Sequence, residues 1–237
     1  MAPAKARLVS PVESPVESPV ESTVRTELKA RGGEGWRGGA KTIVLAVLLA
    51  FGVRIGIAQA YEVDGPSMEP TFFQSERLIV ARCAYGLSLP WLEESLVRWG
   101  LPRPGDVVIV QSPRDGLDLV KRVIGLPGDV IEIRSGVIHR NGTAITQHDA
   151  GACDPARQLD PAPTCRVFEE ALQLGAEGDV RRWRISRSAL DLDDLPAVSV
   201  PEGHVFVVGD HRDRSNDSRF FGPVPASRLR GRVLFVD

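Results

Sequence analysis

The chain has 237 residues, and 29 Lys and Arg against 31 Asp and Glu leave a net charge of −2, with 43% of residues hydrophobic. That balance excludes a fully disordered polymer, a collagen and a polytopic membrane protein, and without a basic block nucleic acid is not an expected partner. Three cysteines with no CxxC spacing and four histidines with no HExxH pattern give no basis for a metal site, and no cofactor is expected.

Residues 10–22 read SPVESPVESPVES, a four-residue unit repeated three times, with nothing that could bury an apolar face at a helical or strand period. Residues 1–38 are therefore expected to be a disordered tail. Residues 39–60 hold the most hydrophobic stretch, in which Thr42 to Val53 is uncharged and Arg54 interrupts before Ile55. Twelve residues fall short of the roughly 20 that span a bilayer unless Arg54 snorkels and the span continues to Ala60. One reading is a single transmembrane helix in contact with membrane lipid. Arg31, Arg37 and Lys41 just before it would hold the N-terminus in the cytoplasm and place the rest of the chain outside the cytoplasmic membrane. The other is a cleaved leader, since Ala58-Gln59-Ala60 has the small residues of a cleavage site.

From Tyr61 the pattern changes to short β-branched runs broken by Pro and Gly: residues 77–81, 106–110, 119–124, 204–208 and 232–236. These read as strands, and the two Pro-Gly-Asp triplets (104–106 and 127–129) and Asn141-Gly142 read as turns between them. Only Leu92 to Trp99 looks helical, and Trp91, Leu92, Leu96 and Trp99 could dip into a membrane interface or pack as an ordinary buried helix. The fold class is mainly β and antiparallel, with core segments at 61–138 and 204–237. Between them, 139–203 is polar and Pro-rich and reads as an insertion. It contains Cys153 and Cys165; in an oxidising compartment a bridge there would stabilise the loop by roughly 3 kcal/mol, whereas two separate thiols are the alternative. Cys83, in a strand, reads as a small buried hydrophobe.

Three places hold residues with chemical potential. Ser67 stands between two prolines' reach, after Gly65-Pro66 and before Met68-Glu69-Pro70, in a turn that would hold a hydroxyl stiffly; alone it is an ordinary turn serine. Lys121 shares a strand face with Leu119 and Val123, so it projects among apolar neighbours. Serving as a base near neutral pH needs a depression of about 3 pKa units from 10.4, on the order of 4 kcal/mol of desolvation; an exposed edge lysine is the alternative. Finally, six of the ten residues from Asp210 to Arg219 are charged, which reads either as a solvated loop or as a salt-bridged brace.

These clusters, in this order after one apolar segment, resemble the bacterial type I signal peptidase (leader peptidase) family of Ser/Lys proteases. The resemblance rests on Ser67-Met68-Glu69-Pro70-Thr71, Pro104-Gly105-Asp106-Val107-Val108, Lys121 through Asp129, and Gly209-Asp210-His211-Arg212-Asp213-Arg214-Ser215-Asn216-Asp217-Ser218-Arg219. It implies a β-sandwich-like protease core with an inserted smaller β region, and a membrane-anchored endopeptidase that removes signal peptides from exported preproteins after small residues. By that resemblance Ser67 is the nucleophile, neutral Lys121 the general base, Ser215 a hydrogen-bond partner of the amine, and Arg122, Asp210, Asp217 and Arg219 supporting charges. The Ser67 backbone N–H would stabilise the oxyanion. Gly65 stands where some members carry a serine that completes the oxyanion hole, and His211 replaces the usual asparagine. Val63, Met68, Phe72, Leu119 and Val120 would line shallow substrate pockets, with core packing as the alternative for each. An extended substrate would bind by strand addition. A self-cleaving Ser/Lys repressor and an inactive membrane-anchored binding module are the competing readings; the first would carry a DNA-binding region in place of an apolar span.

Overall fold

The β-branched runs fold as strands in the computed structural model, which describes residues 39–47, 58–87, 97–159, 161–175, 178–188 and 194–236. The chain divides into two units, residues 1–52 and 53–237. In the first, residues 39–47 are helical with Ile43, Val44, Leu45 and Val47 exposed. Among the described residues no helix is long and apolar enough to cross a membrane. The tail expected at 1–38 and residues 48–57 of the expected span lie outside the described residues.

In the second unit the strands are β1 (Ala58–Glu62), β2 (Arg77–Ala81), β3 (Gly86–Leu87), β4 (Val97–Arg98), β5 (Val107–Gln111), β6 (Asp118–Gly125), β7 (Val130–Arg134), β8 (Val137–Arg140), β9 (Thr143–Ala144), β10 (Thr146–Ala152), β11 (Arg166–Leu174), β12 (Asp179–Arg187), β13 (Leu195–Ser199), β14 (His204–Val208), β15 (Val224–Pro225) and β16 (Leu229–Val236). They pair antiparallel in sheets ordered β1-β2-β16-β5-β6-β14-β15, β10-β11-β12, β13-β7-β8-β9 and β3-β4. The five runs read as strands are all strands, two of them with the expected bounds and the others within three residues at each end.

Two expectations change. Val97 and Arg98, read as the end of a helix, form β4 against β3, and residues 88–96 lie outside the described residues. Gly86 permits this pairing: a Cβ there would stand 2.4 Å from the Val97 carbonyl oxygen, so the two backbones approach only because the side chain is missing. The strand β1 begins at Ala58, inside the stretch assigned to the apolar span, because its backbone pairs with β2 from Ala58↔Ala81 to Glu62↔Arg77.

The four-stranded sheet runs across residue 139: β7 is joined to β8 through Ser135 and Gly136, and β8 turns into β9 through Asn141 and Gly142; all four turn residues have positive φ, the geometry of tight two-residue hairpins. One apolar cluster joins Ile131, Ile133, Ile138, Ile145, Leu172, Trp183 and Ile185 to Ile124, Phe206 and Val208 of the main sheet. The other face of that sheet packs Val108, Val110, Val123, Val205 and Val207. Central strands β5, β6 and β14 are thus covered on both sides, which explains their continuous apolar runs.

Cys153 and Cys165 form a disulfide with Cα atoms 5.4 Å apart, closing the loop that holds Leu159 near residue 69. Cys83 is half-buried and unbridged. Replacing both Cys153 and Cys165 by serine is expected to lower the unfolding free energy by about 3 kcal/mol, read by denaturant titration against the oxidised protein; an unchanged midpoint would show that the loop is held without the bridge.

Candidate active site

The turn after β1 is built around Gly65, whose φ of +90° disfavours any side chain, and it closes by Glu69 N–H donating to the Pro66 carbonyl at 3.1 Å and Thr71 N–H to the Met68 carbonyl at 2.8 Å. Buried Met68 and Phe72 pack with Val63, Leu78, Val80 and Ile109, which pins the turn to the sheet. The Ser67 carbonyl accepts from His211 N–H at 3.1 Å, while the Ser67 N–H has no hydrogen-bond partner among the described residues. Nothing lies within 4 Å of the point where a Gly65 side chain would begin.

Strand β6 delivers Lys121 to this turn. Its side chain is 2% exposed, and Nζ lies 2.8 Å from Ser67 Oγ and 2.8 Å from the Val120 carbonyl oxygen. Burial pulls its pKa down to about 8, with Asp217 and Asp210 pushing it up and Arg219 pulling it further down. At that value a substantial fraction of the amine is neutral near physiological pH, and a neutral Nζ can accept the Ser67 proton.

Around this contact the expected charged residues pair with one another. Arg122, the next residue on β6, meets Asp210 through Nε–Oδ1 at 2.8 Å and Nη2–Oδ2 at 2.5 Å, and also donates to the Gly105 carbonyl at 2.8 Å. Thr71 Oγ1 donates to Asp210 Oδ2 at 2.5 Å, which ties the serine turn to this pair. Asp217 accepts from Arg219 Nε and Nη2, both at 2.8 Å, and from Gly209 N–H at 2.9 Å. All four side chains are 7% exposed or less, so each carboxylate has its countercharge out of water.

Ser215 differs from what the resemblance implied. Its Oγ is buried beside Gly209 and makes no hydrogen bond, to Lys121 or to anything else described. Among the residues expected to line pockets, Val63, Met68, Phe72 and Val120 meet in one cluster, whereas Leu119 packs on the other side of the sheet. Val63, Met68 and Phe72 are buried core residues in this packing.

Several residues of the surroundings were not singled out from sequence. Glu170 accepts from Arg212 Nη2 at 2.5 Å, Trp183 Nε1 at 2.8 Å and Gln147 Nε2 at 2.8 Å, so the inserted sheet grips the charged loop. Arg212 passes this on by donating from Nε to the Gly209 carbonyl at 3.3 Å. Alternation along β11 carried the signal: Glu170 shares the inward face with Phe168 and Leu172. Gly209 has room for no side chain, since a Cβ would stand 2.1 Å from Ser215 Oγ and 2.6 Å from the Ser67 carbonyl oxygen.

A family model described as signal peptidase, peptidase S26, matches residues 36–236. The chain belongs to the signal peptidase family, peptidase S26. It is 31% identical over 198 residues to the signal peptidase I of Bacillus licheniformis, covering 83% of this chain and 85% of that protein. It is 30% identical over 205 residues to that of Pseudomonas fluorescens, covering 81% and 68%. A solved signal peptidase I from Enterococcus faecalis is 28% identical and covers 57% of this chain and 98% of its own, with a TM-score of 0.34. As an S26 signal peptidase the chain is a hydrolase of the serine protease class.

Two outcomes follow from this geometry. A base must be neutral to accept a proton, so peptidase activity should rise with pH through about 8. A kcat/KM profile whose rising limb sits near 10.5 would contradict the desolvated amine. Gly209→Ala should force Ser215 and the Ser67 carbonyl apart and lower kcat about 10- to 100-fold, the effect of a displacement near 1 Å at reacting groups. A rate within twofold of the parent, with the substitution verified, would contradict it.

Proposed function

We propose that the chain is a membrane-anchored endopeptidase that cleaves N-terminal signal peptides from exported preproteins after small residues, with Ser67 as nucleophile and neutral Lys121 as general base. The observation that carries the reading is the 2.8 Å contact between Lys121 Nζ and Ser67 Oγ inside a dry setting. Family membership supports the substrate class, and the apolar stretch at 39–60 supports the anchor, which would keep the N-terminus cytoplasmic and the protease outside.

In this mechanism Ser67 Oγ attacks the scissile carbonyl carbon while its proton passes to Nζ. The electron pair of the carbonyl moves to oxygen, and the oxyanion faces the Ser67 N–H. Collapse breaks the C–N bond as the ammonium returns the proton to the departing amine, leaving an acyl-enzyme on Oγ. Lys121, neutral again, takes a proton from water, the hydroxide adds to the acyl carbon, and the signal peptide leaves as a carboxylate with Oγ reprotonated. With Gly65 in place of a hydroxyl, the oxyanion relies on the main chain, and the loss of one such donor costs about 3 kcal/mol in comparable sites. Arg122, Asp210, Asp217 and Arg219 act by holding the two reacting side chains in place, and the turn carrying Val63, Met68 and Phe72 would present its small-residue pockets only where substrate meets its rim.

The 237-residue protein in detergent should cut a preprotein after a small residue, and Ser67→Ala and Lys121→Ala should each reduce kcat by at least about 10³-fold, as removal of a nucleophile or its base does in serine proteases. A Ser67→Ala protein that cuts at the parent rate would end the assignment. Cleavage of an added preprotein also separates this reading from a self-cleaving repressor and from an inactive binding module.

A further inference from the structure

Two buried polar atoms close to Ser67 have no hydrogen-bond partner: Glu69 Oε2 and His211 Nδ1. They face each other at 3.5 Å, with Glu69 1% exposed and His211 fully buried. Every other polar end of the pair is engaged. Glu69 Oε1 accepts from Leu159 N–H at 3.1 Å, the Glu69 carbonyl accepts from Ser186 Oγ at 2.8 Å, and His211 Nε2 lies 2.9 Å from Ser188 Oγ. The pair also reaches the nucleophile twice, because Glu69 is two residues beyond Ser67 in the same turn and His211 N–H donates to the Ser67 carbonyl.

A carboxylate oxygen and an unprotonated imidazole nitrogen would repel at this distance, so a proton lies between them. It can belong to a carboxylate–imidazolium pair, to a neutral ring whose Nδ1–H donates to a carboxylate, or to a carboxylic acid that donates to a neutral ring. Burial disfavours the imidazolium: it pulls His211 down to about 4, with Arg214 acting the same way and Asp213 and the Pro66 carbonyl acting against it. Both neutral-ring arrangements place one hydrogen bond between Oε2 and Nδ1, and each sets one tautomer at Ser188: a ring protonated on Nδ1 accepts there from Ser188 Oγ–H through Nε2, and a ring protonated on Nε2 donates to it.

We infer that Glu69 is a positioning residue of the reaction: it shares one proton with His211 Nδ1, fixes the tautomer that the ring presents to Ser188, and so holds the stretch of chain that grips the Ser67 carbonyl. The inference rests on the reading of Ser67 as nucleophile. It assigns a role to a residue pair, glutamate after Ser-Met and histidine after Gly-Asp, in which the histidine is neither base nor metal ligand. Its physical consequence is a demand for a hydrogen-bonding group at position 69 and not for the countercharge of an imidazolium. Glutamine meets that demand through its amide oxygen or its amide N–H, and leucine fills the space without meeting it.

The test uses the full 237-residue protein in detergent, with Glu69→Gln, Glu69→Leu and His211→Asn. Glu69→Leu should lower kcat about tenfold or more with KM unchanged, since the turn shifts but the substrate surface does not. Glu69→Gln should recover most of that loss. In histidine-selective 15N spectra at pH 7, the resonances missing from His211→Asn should belong to a neutral ring protonated on a single nitrogen. A doubly protonated ring, or a Glu69→Gln protein as impaired as Glu69→Leu, would overturn the inference in favour of an ion pair; a Glu69→Leu protein at parental kcat would reduce the pair to packing. If Glu69→Leu does not fold, the spectrum and Glu69→Gln still decide. The spectrum reads proton placement without any turnover, so it stands apart from the Ser67→Ala result, which tests the nucleophile.

Discussion

A primary amine held out of water governs this structure. Lys121 sits in the middle of a strand between Val120 and Arg122, and among the described residues its amine hydrogen-bonds a serine hydroxyl and a carbonyl. An ammonium in such a place is costly, so the amine gives up its proton more readily than in solution. Two carboxylates nearby would undo this by attracting the proton back. Each is occupied: Asp210 by Arg122 and Asp217 by Arg219, both through paired contacts. Their charges are answered locally, and what reaches Lys121 is a residue of opposing pulls. The salt bridges therefore serve the lysine by consuming the acids, which is a different task from adding stability, where buried pairs contribute little net.

The same arginines and aspartates set the distances. Gly209 leaves β14 one residue beyond Val208, which pairs with Arg122, and it is held by Asp217 at its N–H and Arg212 at its carbonyl. Because Gly209 has no side chain, the Ser67 carbonyl and Ser215 can close over it. The inserted sheets are part of this arrangement. Their apolar residues share one core with the main sheet, Glu170 anchors Arg212, and Ser186 and Arg184 of β12 bond to the serine turn through Glu69 and Thr71. An insertion that merely decorated the fold would not need buried charges directed at the loop beside Ser67.

Much of this was legible in the chain because it depends on short-range pattern. Runs such as Val107-Val108-Ile109-Val110 are strands in any context that covers both faces, and Asn141-Gly142 has the positive φ values that a two-residue hairpin demands. Lys121 stood out as a charge in an apolar strand for the same reason. Where the pattern was short or its decisive partner lay far away in sequence, the reading failed or fell silent. Val97-Arg98 is extended because Gly86 lets another backbone come close, and β1 starts at Ala58 because β2 is there to pair with it. Glu69 read as one more turn residue and His211 as a substitute for asparagine; neither chain neighbourhood reveals that they point at each other.

By itself, then, the sequence determined the β character of the body, the hairpin turns, the lysine in an apolar strand and the charged loop, since each is a matter of local conformational preference or of an unusual residue in an otherwise uniform run. Only the tertiary structure decided that Lys121 Nζ meets Ser67 Oγ across 54 positions of chain, which arginine answers which aspartate, that the Ser215 hydroxyl has no partner among the described residues, and that Glu69 and His211 share a proton-sized gap. Those facts depend on packing between strands distant in sequence, where a shift of one ångström changes a hydrogen bond into a contact and the dryness of the site into solvent.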